Sequence, residues 1–488
     1  MWALSAPSAA SEPPELANIQ AALHVLEHGR MPPSAVDFLW TLHSRIEQPD
    51  DLFVFLSVLT GTHADPAQVL NAVQQLEKTL RNTQHATLAD QQRMSSMSDK
   101  VKSLATPLWE TWLEQSTHAH LSGLLTLRCQ VLRLKADCLQ QPPSDQWSAR
   151  RAAVSAVDGA LQRLFQRWFA GARLTLRELQ WSTASGQVLE QLQAAEKVHP
   201  FADLQDVKQR MHTNGSGSPN RHIFALEHSG VDGPLVAVQV ALTEGIESSV
   251  DRLLQRPSPI HEKPSPTATS PNTAMFYSIN STQEALRGVD LGNTLIKQVV
   301  TRLQTAPATA GRIQCFSTLS PIPGYHAWLR TEAAKLELGP TARVFGDGSN
   351  STKEAECLAH LREAFNGPDL TLQQAVFTMA ELLSDDAPWW WDAAFAEQLR
   401  LPVLRSVAWY VTKERRRNKL LDSVANFHVS NGAQVYRLNW LANCSAKGNQ
   451  ESLCVMVNYL YDLPTVERNA HEYQLHHRVD VGELVKGL

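Results

Sequence analysis

Nowhere in the 488 residues does the sequence run for about 18 consecutive apolar side chains, the length a membrane-spanning helix needs. No C-x-x-C pair occurs among the six cysteines (129, 138, 315, 357, 444 and 454), so nothing has the ligand spacing of a structural metal site. That scatter predicts reduced, mostly buried thiols and no metal. There is no excess of positive charge: 44 Lys and Arg against 49 Asp and Glu leave a formal charge of −5. This balance excludes a general nucleic-acid binder, and an anionic ligand must be held by local basic groups or helix N-termini. The opening "MWALSAPSAASEPPEL" lacks both a basic n-region and an apolar h-region, so no secretory signal is read there. It also lacks arginine and carries Glu12, and the chain closes on Lys-Gly-Leu rather than Ser-Lys-Leu. The expected compartment is the cytoplasm, with the mitochondrial matrix as the alternative in a eukaryotic host. No internal repeat is visible.

What is present is a 43% hydrophobic chain too long for one ordinary domain. Residues 1–170 read as helical. Leu23, Val25 and Leu26, then Val69, Leu70, Val73, Leu76 and Leu80, recur at three- and four-residue spacing. Asp65-Pro66 marks a helix start. "HLSGLLTLRCQVLRLKADCL" and "VSAVDGALQRLFQRWFAGA" are further amphipathic stretches, with breaks at Pro13-Pro14, Pro32-Pro33 and Pro142-Pro143. Helices without a titratable cluster suggest an assembly domain. After Gly171 the period changes. "RLTLRELQW", "GPLVAVQVALTEGI", "TAMFYSIN" and "GRIQCFSTLS" read as strands, as do "GAQVYRLNWLA" and "SLCVMVNYLYDL". "LGNTLIKQVVTRLQTA" between two of these reads as a helix, which predicts an α/β unit with neighbouring parallel strands. Arg256–Asn272, rich in Pro, Ser and Thr, reads as a surface loop, and "FGDGSNST" as a shorter break. The expected fold class is therefore α+β or α/β: a helical bundle over 1–170 followed by a mixed-sheet domain over 171–488.

"LRGVDLGNTLIKQVV" follows a strand and opens a helix. Gly288 and Gly292 permit a tight turn whose amides can face a phosphate, and the helix start adds about half an elementary charge. The stretch resembles the acyl-CoA-binding loop of the GNAT acetyltransferase fold, Arg/Gln-x-x-Gly-x-Gly, at Arg287, Leu291, Gly292 and Leu295. Asp290 stands where that pattern has its first glycine. By itself the stretch is equally compatible with an ordinary turn before a surface helix.

Several blocks together resemble malonyl-CoA decarboxylase. They are "VHPF" with "DVKQR" (198–210), "VALTEGIESSV" (240–250), "AMFYSINSTQEALRGVDLGNTLIKQVV" (274–300), "FSTLSPIPGY" (316–325), "LDSVANFHVSNGAQVYRLNWLA" (421–442) and "NYLYDL" (458–463). They follow the family's order from about residue 150 onward; the earlier part matches only in helical character. The resemblance implies a helical N-terminal domain, a GNAT-like catalytic domain and a homotetramer built partly through the helices. It implies cofactor-free conversion of malonyl-CoA to acetyl-CoA and CO2, a step of fatty acid metabolism. It places the catalytic serine at Ser320, the catalytic histidine at His428, and Tyr461 and Asn426 close to them. The CoA-binding segment falls on Arg287, Gly288, Val289, Asp290, Leu291, Gly292 and Asn293. Mammalian members carry a cysteine after the tryptophan that corresponds to Trp181; this chain has "WSTASGQ", so an inter-subunit disulfide is not implied.

The chemistry suits these groups. A malonyl thioester is its own electron sink, because the pair released with CO2 becomes an enolate. The C2 carbon then needs a proton, and histidine, with an ordinary pKa of about 6.5, can carry it. Pro321 and Pro323 limit Ser320 to extended backbone beside that histidine. Whether Ser320 orients the carboxylate or relays the proton is open from sequence. Read on residue type alone, Ser320 is a turn serine at a strand end and His428 one of 18 histidines. His199 reads as structural, "PWWW" (388–391) as aromatic packing, and "KERRRNK" (413–419) as a solvated basic loop or a contact for the 3′-phosphate of CoA. Two other functions compete: an acyl-CoA N-acetyltransferase and a non-catalytic CoA-binding scaffold.

Overall fold

The computed structural model describes residues 33–46, 49–59, 66–81, 87–142, 144–171, 174–211, 220–256, 271–338, 344–345, 351–381 and 388–488. The break expected at Pro13-Pro14, nearly all of the Pro/Ser/Thr-rich stretch and most of "FGDGSNST" lie outside the described residues. The chain divides into two compact units. One is Met1–Thr175 with His228–Leu235 and Gln283–Asp290; the other is Leu176–Glu227, Val236–Thr282 and Leu291–Leu488.

The first unit holds seven helices among its described residues: α1 (Pro33–His43), α2 (Pro49–Val58), α3 (Pro66–Arg81), α4 (Leu88–Ala105), α5 (Leu108–Gln115), α6 (Leu121–Gln140) and α7 (Asp145–Gly171). Three of them begin on proline, whose missing N–H costs nothing at a helix start. At the head of α4, Thr87 and Asp90 satisfy each other's backbone amides in a capping box. In α6 the buried face runs Leu121, Leu124, Leu127, Arg128, Val131, Leu134 and Cys138, the three- and four-residue spacing of an amphipathic helix with one cation set into its apolar stripe.

A seven-stranded sheet dominates the second unit: β1 (Thr175–Leu179), β2 (Arg221–Glu227), β3 (Pro234–Thr243), β4 (Thr273–Ser281), β5 (Cys315–Thr318), β8 (Gln434–Asn439) and β9 (Met456–Leu460), in the order β1-β2-β3-β4-β5-β9-β8. The short strands β6 (Arg415–Arg416) and β7 (Lys419–Leu420) form a separate hairpin. In β3 every residue from Pro234 to Leu242 is buried, which is why this central strand reads as an unbroken hydrophobic run rather than an alternation. The sheet is mixed: β3 and β4 are antiparallel, β4 and β5 parallel, and β5–β9 and β8–β9 antiparallel. Helix α8 (Leu291–Thr305) supplies the crossover from β4 to β5. A helical N-terminal part followed by a mixed sheet is the expected architecture, and the expected strand–helix–strand unit is this crossover.

One detail of the sheet prepares the site. The parallel ladder ends at Phe276–Thr318. Beyond it β4 runs on to Ser281, whereas the chain leaving β5 stays with β9 through a bridge between Ser320 and Val457. Ser320 therefore follows the last rung shared by two strands that stop pairing.

Candidate active site

The backbone of Ser320 is tied on both sides to β9: its N–H donates to the Val457 carbonyl at 2.8 Å and its carbonyl accepts the Val457 N–H at 2.9 Å. That pair of ladder bonds holds the serine, and Pro321 then ends the pairing because it has no N–H to give. Ile322 and Tyr325 are fully buried and anchor the turn into helix α9 (Tyr325–Leu338). The glycine of Ser-Pro-Ile-Pro-Gly has a steric reason. A Cβ on Gly324 would lie 2.4 Å from the hydroxyl of Tyr410, on helix α10 (Ala393–Thr412).

His428 lies in the last turn of the short helix α11 (Ser423–Ser430). Asp422 caps this helix by accepting the Ala425 N–H at 2.8 Å. Burial pushes the Asp422 carboxyl up to about 6, against the effect of its backbone donors. The imidazole of His428 is 4% exposed. It stacks on the Tyr459 ring with centroids 4.5 Å apart and meets the Phe427 ring edge-on at 5.1 Å. Burial pushes its pKa down to about 3, so the ring is neutral at ordinary pH.

Four side chains form one hydrogen-bonded run. The Tyr461 hydroxyl is 2.8 Å from Nδ1 of His428. Nε2 is 3.2 Å from Oγ of Ser320. The Ser320 hydroxyl donates to Oγ1 of Thr318 at 2.9 Å. Because the serine proton is directed at Thr318, the contact between Nε2 and Oγ requires the imidazole proton on Nε2. Nδ1 is then the acceptor of the Tyr461 hydroxyl. Thr318 Oγ1 also accepts the Tyr459 N–H at 3.2 Å. Asn458 braces the same strand end: its amide donates to the Thr318 carbonyl at 2.7 Å and to the Glu247 carbonyl at 2.9 Å, and its oxygen accepts from Arg437 and Asn439.

The expected residues divide accordingly. Ser320, His428 and Tyr461 come together, although 108 residues separate the first two. Asn426 stays outside the run: its oxygen accepts the Tyr473 hydroxyl at 2.8 Å. Two residues apart on α11, Asn426 and His428 face different ways. Of the expected CoA segment, Arg287, Gly288, Val289 and Asp290 belong to the first unit, with Val289 buried and the other three exposed. Leu291, Gly292 and Asn293 begin α8 in the second unit. A Cβ on Gly292 would stand 3.2 Å from the Phe427 ring, so α8 starts against the neighbour of His428. The residues 413–419 close the β6–β7 hairpin, with Arg417 and Asn418 at φ +50° and +67°. Of the stretch 388–391, Trp389 packs as expected, donating to Asn449 and lying against Trp440, whereas Trp391 is 69% exposed and does not belong to a packed cluster. His199 is buried and held neutral by burial and the nearby cations Arg210, Arg256 and Lys447, with its pKa down to about 3. Among the described residues no group of three or more His, Cys, Asp or Glu could hold a metal ion, and no helix is long and apolar enough to cross a membrane.

Thr318, Asn458 and Tyr459 were not anticipated. The signal for Thr318 was available: residues 318 and 320 share a face in a period-two strand. Asn458 and Tyr459 lie in "NYLYDL" beside the expected Tyr461, but stacking and carbonyl bracing have no sequence mark.

Residues 172–488 match the family described as malonyl-CoA decarboxylase C-terminal domain. The chain is 33% identical over 353 residues to the mitochondrial malonyl-CoA decarboxylase of Rattus norvegicus, covering 72% of this chain and 64% of that one. It is 32% identical over 323 residues to the mitochondrial enzyme of Anser anser anser, covering 66% and 58%. It thus spans less than two thirds of the length of these curated relatives. The crystal structure of malonyl-CoA decarboxylase from Rhodopseudomonas palustris superposes with a TM-score of 0.67 at 26% identity, covering 97% of this chain and 99% of that one. That from Agrobacterium vitis gives the same TM-score and identity, with 96% and 99% covered. The chain belongs to the malonyl-CoA decarboxylase family.

Proposed function

We propose that this chain converts malonyl-CoA to acetyl-CoA and CO2, with Ser320, His428 and Tyr461 delivering the proton. The observation that carries this reading is the continuous hydrogen-bonded run from Tyr461 through His428 to Ser320. As CO2 leaves, the electron pair of the broken C–C bond moves onto the thioester as an enolate. C2 takes the Ser320 hydroxyl proton, Nε2–H of His428 replaces it on Oγ, and the Tyr461 proton moves to Nδ1. For the next turnover Nδ1 returns its proton to the Tyr461 oxygen, Nε2 takes one back from Oγ, and Oγ is reprotonated from water, so the starting tautomer is restored and one proton is consumed per turnover. The low pKa of His428 favours this concerted passage, since an imidazolium is not available to act alone. Thr318 holds the serine rotamer between turnovers.

The CoA moiety is assigned to Arg287–Asn293 through its amides and the start of α8. Residues 1–170 are assigned to assembly and 171–488 to chemistry, in a homotetramer. Cytoplasm is the proposed compartment, or the mitochondrial matrix in a eukaryotic source, in line with the mitochondrial relatives. A role in fatty acid metabolism follows from the substrate. Incubating the purified protein with malonyl-CoA and no amine tests the reading. Acetyl-CoA should accumulate with loss of the carboxylate; absence of acetyl-CoA overturns it. Light scattering tests the tetramer.

A further inference from the structure

Arg128 is 1% exposed, yet it sits in the apolar stripe of α6, where leucine would pack without the cost of stripping a cation of water. Each of its three guanidinium nitrogens donates a hydrogen bond. Nε donates to the Asp158 carboxylate at 3.1 Å, Nη1 to the Ala285 carbonyl at 2.6 Å and Nη2 to the Arg287 carbonyl at 2.9 Å. Asp158, itself buried, is also paired with Lys135 at 2.6 Å. Gln162, one turn further along α7 from Asp158, donates to the Gly288 carbonyl at 2.6 Å. Three carbonyls of the segment Gln283–Asp290 are thus claimed by α6 and α7, all within the first unit.

The consequence lies in the peptide planes. In a trans peptide, C=O and N–H point in opposite directions. The amides of Leu286, Arg287 and Val289 are spent on turn carbonyls. The peptide joining Arg287 to Gly288 is different: its carbonyl is turned onto Arg128, so the Gly288 N–H is turned away, and it meets no acceptor among the described residues. Gly288 has φ +78°, and a Cβ there would approach Gln162 to 3.2 Å, so the turn requires glycine. Behind the turn Arg128, Asp158 and Lys135 sum to one positive charge, and on it Glu284 and Asp290 outweigh Arg287 by one negative charge, so the free amide and not net charge is what the turn offers an anion.

We propose that Arg128 is a positioning residue for substrate: its fork fixes the turn Ala285–Gly288 so that the Gly288 amide faces the phosphates of a CoA thioester. This rests on the CoA assignment above and deepens it.

The test compares malonyl-CoA with malonyl-pantetheine, which lacks the phosphates, in wild type, Arg128→Lys, Arg128→Met and Gln162→Ala. Lysine keeps a charge for Asp158 but cannot span two carbonyls as the planar fork does. The ratio of kcat/KM for malonyl-CoA to that for malonyl-pantetheine should fall about tenfold in Arg128→Lys, mostly through KM, and less in Gln162→Ala. A purely structural role lowers both substrates by the same factor, and an unchanged ratio overturns the proposal. Should Arg128→Met fail to fold, the lysine and Gln162→Ala variants still decide. Calorimetric titration with CoA gives the same comparison without turnover. A wild type that binds CoA but makes no acetyl-CoA overturns the decarboxylase reading alone; equal CoA affinity in wild type and Arg128→Lys overturns the clamp.

Discussion

Replacing Thr318 by valine keeps the shape of a buried side chain and removes one oxygen. That oxygen accepts two hydrogen bonds, from Ser320 Oγ at 2.9 Å and from the Tyr459 N–H at 3.2 Å. The two donors fare differently. Ser320 has a second acceptor in reach, Nε2 of His428 at 3.2 Å, so its hydroxyl swings round and is not orphaned. The Tyr459 amide, in a fully buried residue, has no such alternative. Leaving it unmade costs about 1–3 kcal/mol, which is the expected loss of stability. The larger effect is on polarity. Once the serine donates to Nε2, the imidazole must carry its proton on Nδ1 and donate to Tyr461, so the whole run points the other way. Restoring it before each proton delivery should lower kcat by roughly the worth of one hydrogen bond, about tenfold. The assay is acetyl-CoA formation combined with two-bond 15N–1H spectra of histidine-labelled protein, the His428 signals being assigned by their loss in His428→Gln. Wild type should show the proton on Nε2 and Thr318→Val on Nδ1. A wild type already protonated on Nδ1, or a variant with unchanged tautomer and rate, would refute the reasoning.

Tyr461→Phe removes the donor to Nδ1 and should lower kcat on the order of ten- to a hundredfold, the range of one lost buried bond, with KM moving less; equal kcat would remove Tyr461 from the relay. Stability should fall as pH drops below 6.5, because the unfolded chain protonates His428 and His199 there while the folded chain resists down to about 3. Each depressed histidine contributes stability that is present above its unfolded pKa and is lost as pH falls toward the folded one, at about 1.4 kcal/mol per pH unit. Asp422, raised to about 6, acts in the opposite sense between 3.8 and 6, so the informative quantity is the difference between wild type and His428→Gln in urea midpoints from pH 7.5 to 4.5. Parallel curves would show that His428 is not held neutral. Gly324→Ala should cost about 1–3 kcal/mol in urea unfolding, since its Cβ would lie 2.4 Å from the Tyr410 hydroxyl; no loss would mean that the α9 turn yields easily.

Much of the site was legible because its motifs are compact. "SPIPG" and "VANFH" each hold a reactive side chain within a rigid local structure, a ladder end and a capped helix. What brings them together is β9, whose Val457 pairs with Ser320 and whose neighbours Asn458 and Tyr459 brace and stack. Such cross-strand pairing has no local signature. Asn426 shows the reverse: it stood in the right block, but helix geometry turned it toward Tyr473. Arg128 has a sequence mark. It stands four residues after Leu124 and three before Val131, inside the apolar period, where a solvated arginine has no place. The parting of β4 from the chain after β5 could not be read at all, because it depends on which partner each backbone keeps.

The most direct measurement is turnover of malonyl-CoA by Ser320→Ala, with the thermal melt followed in parallel. The relay predicts a fall of about 10²–10⁴ in kcat, the usual contribution of a positioned proton donor, with a melt close to wild type. Wild-type turnover in a folded Ser320→Ala protein would contradict it.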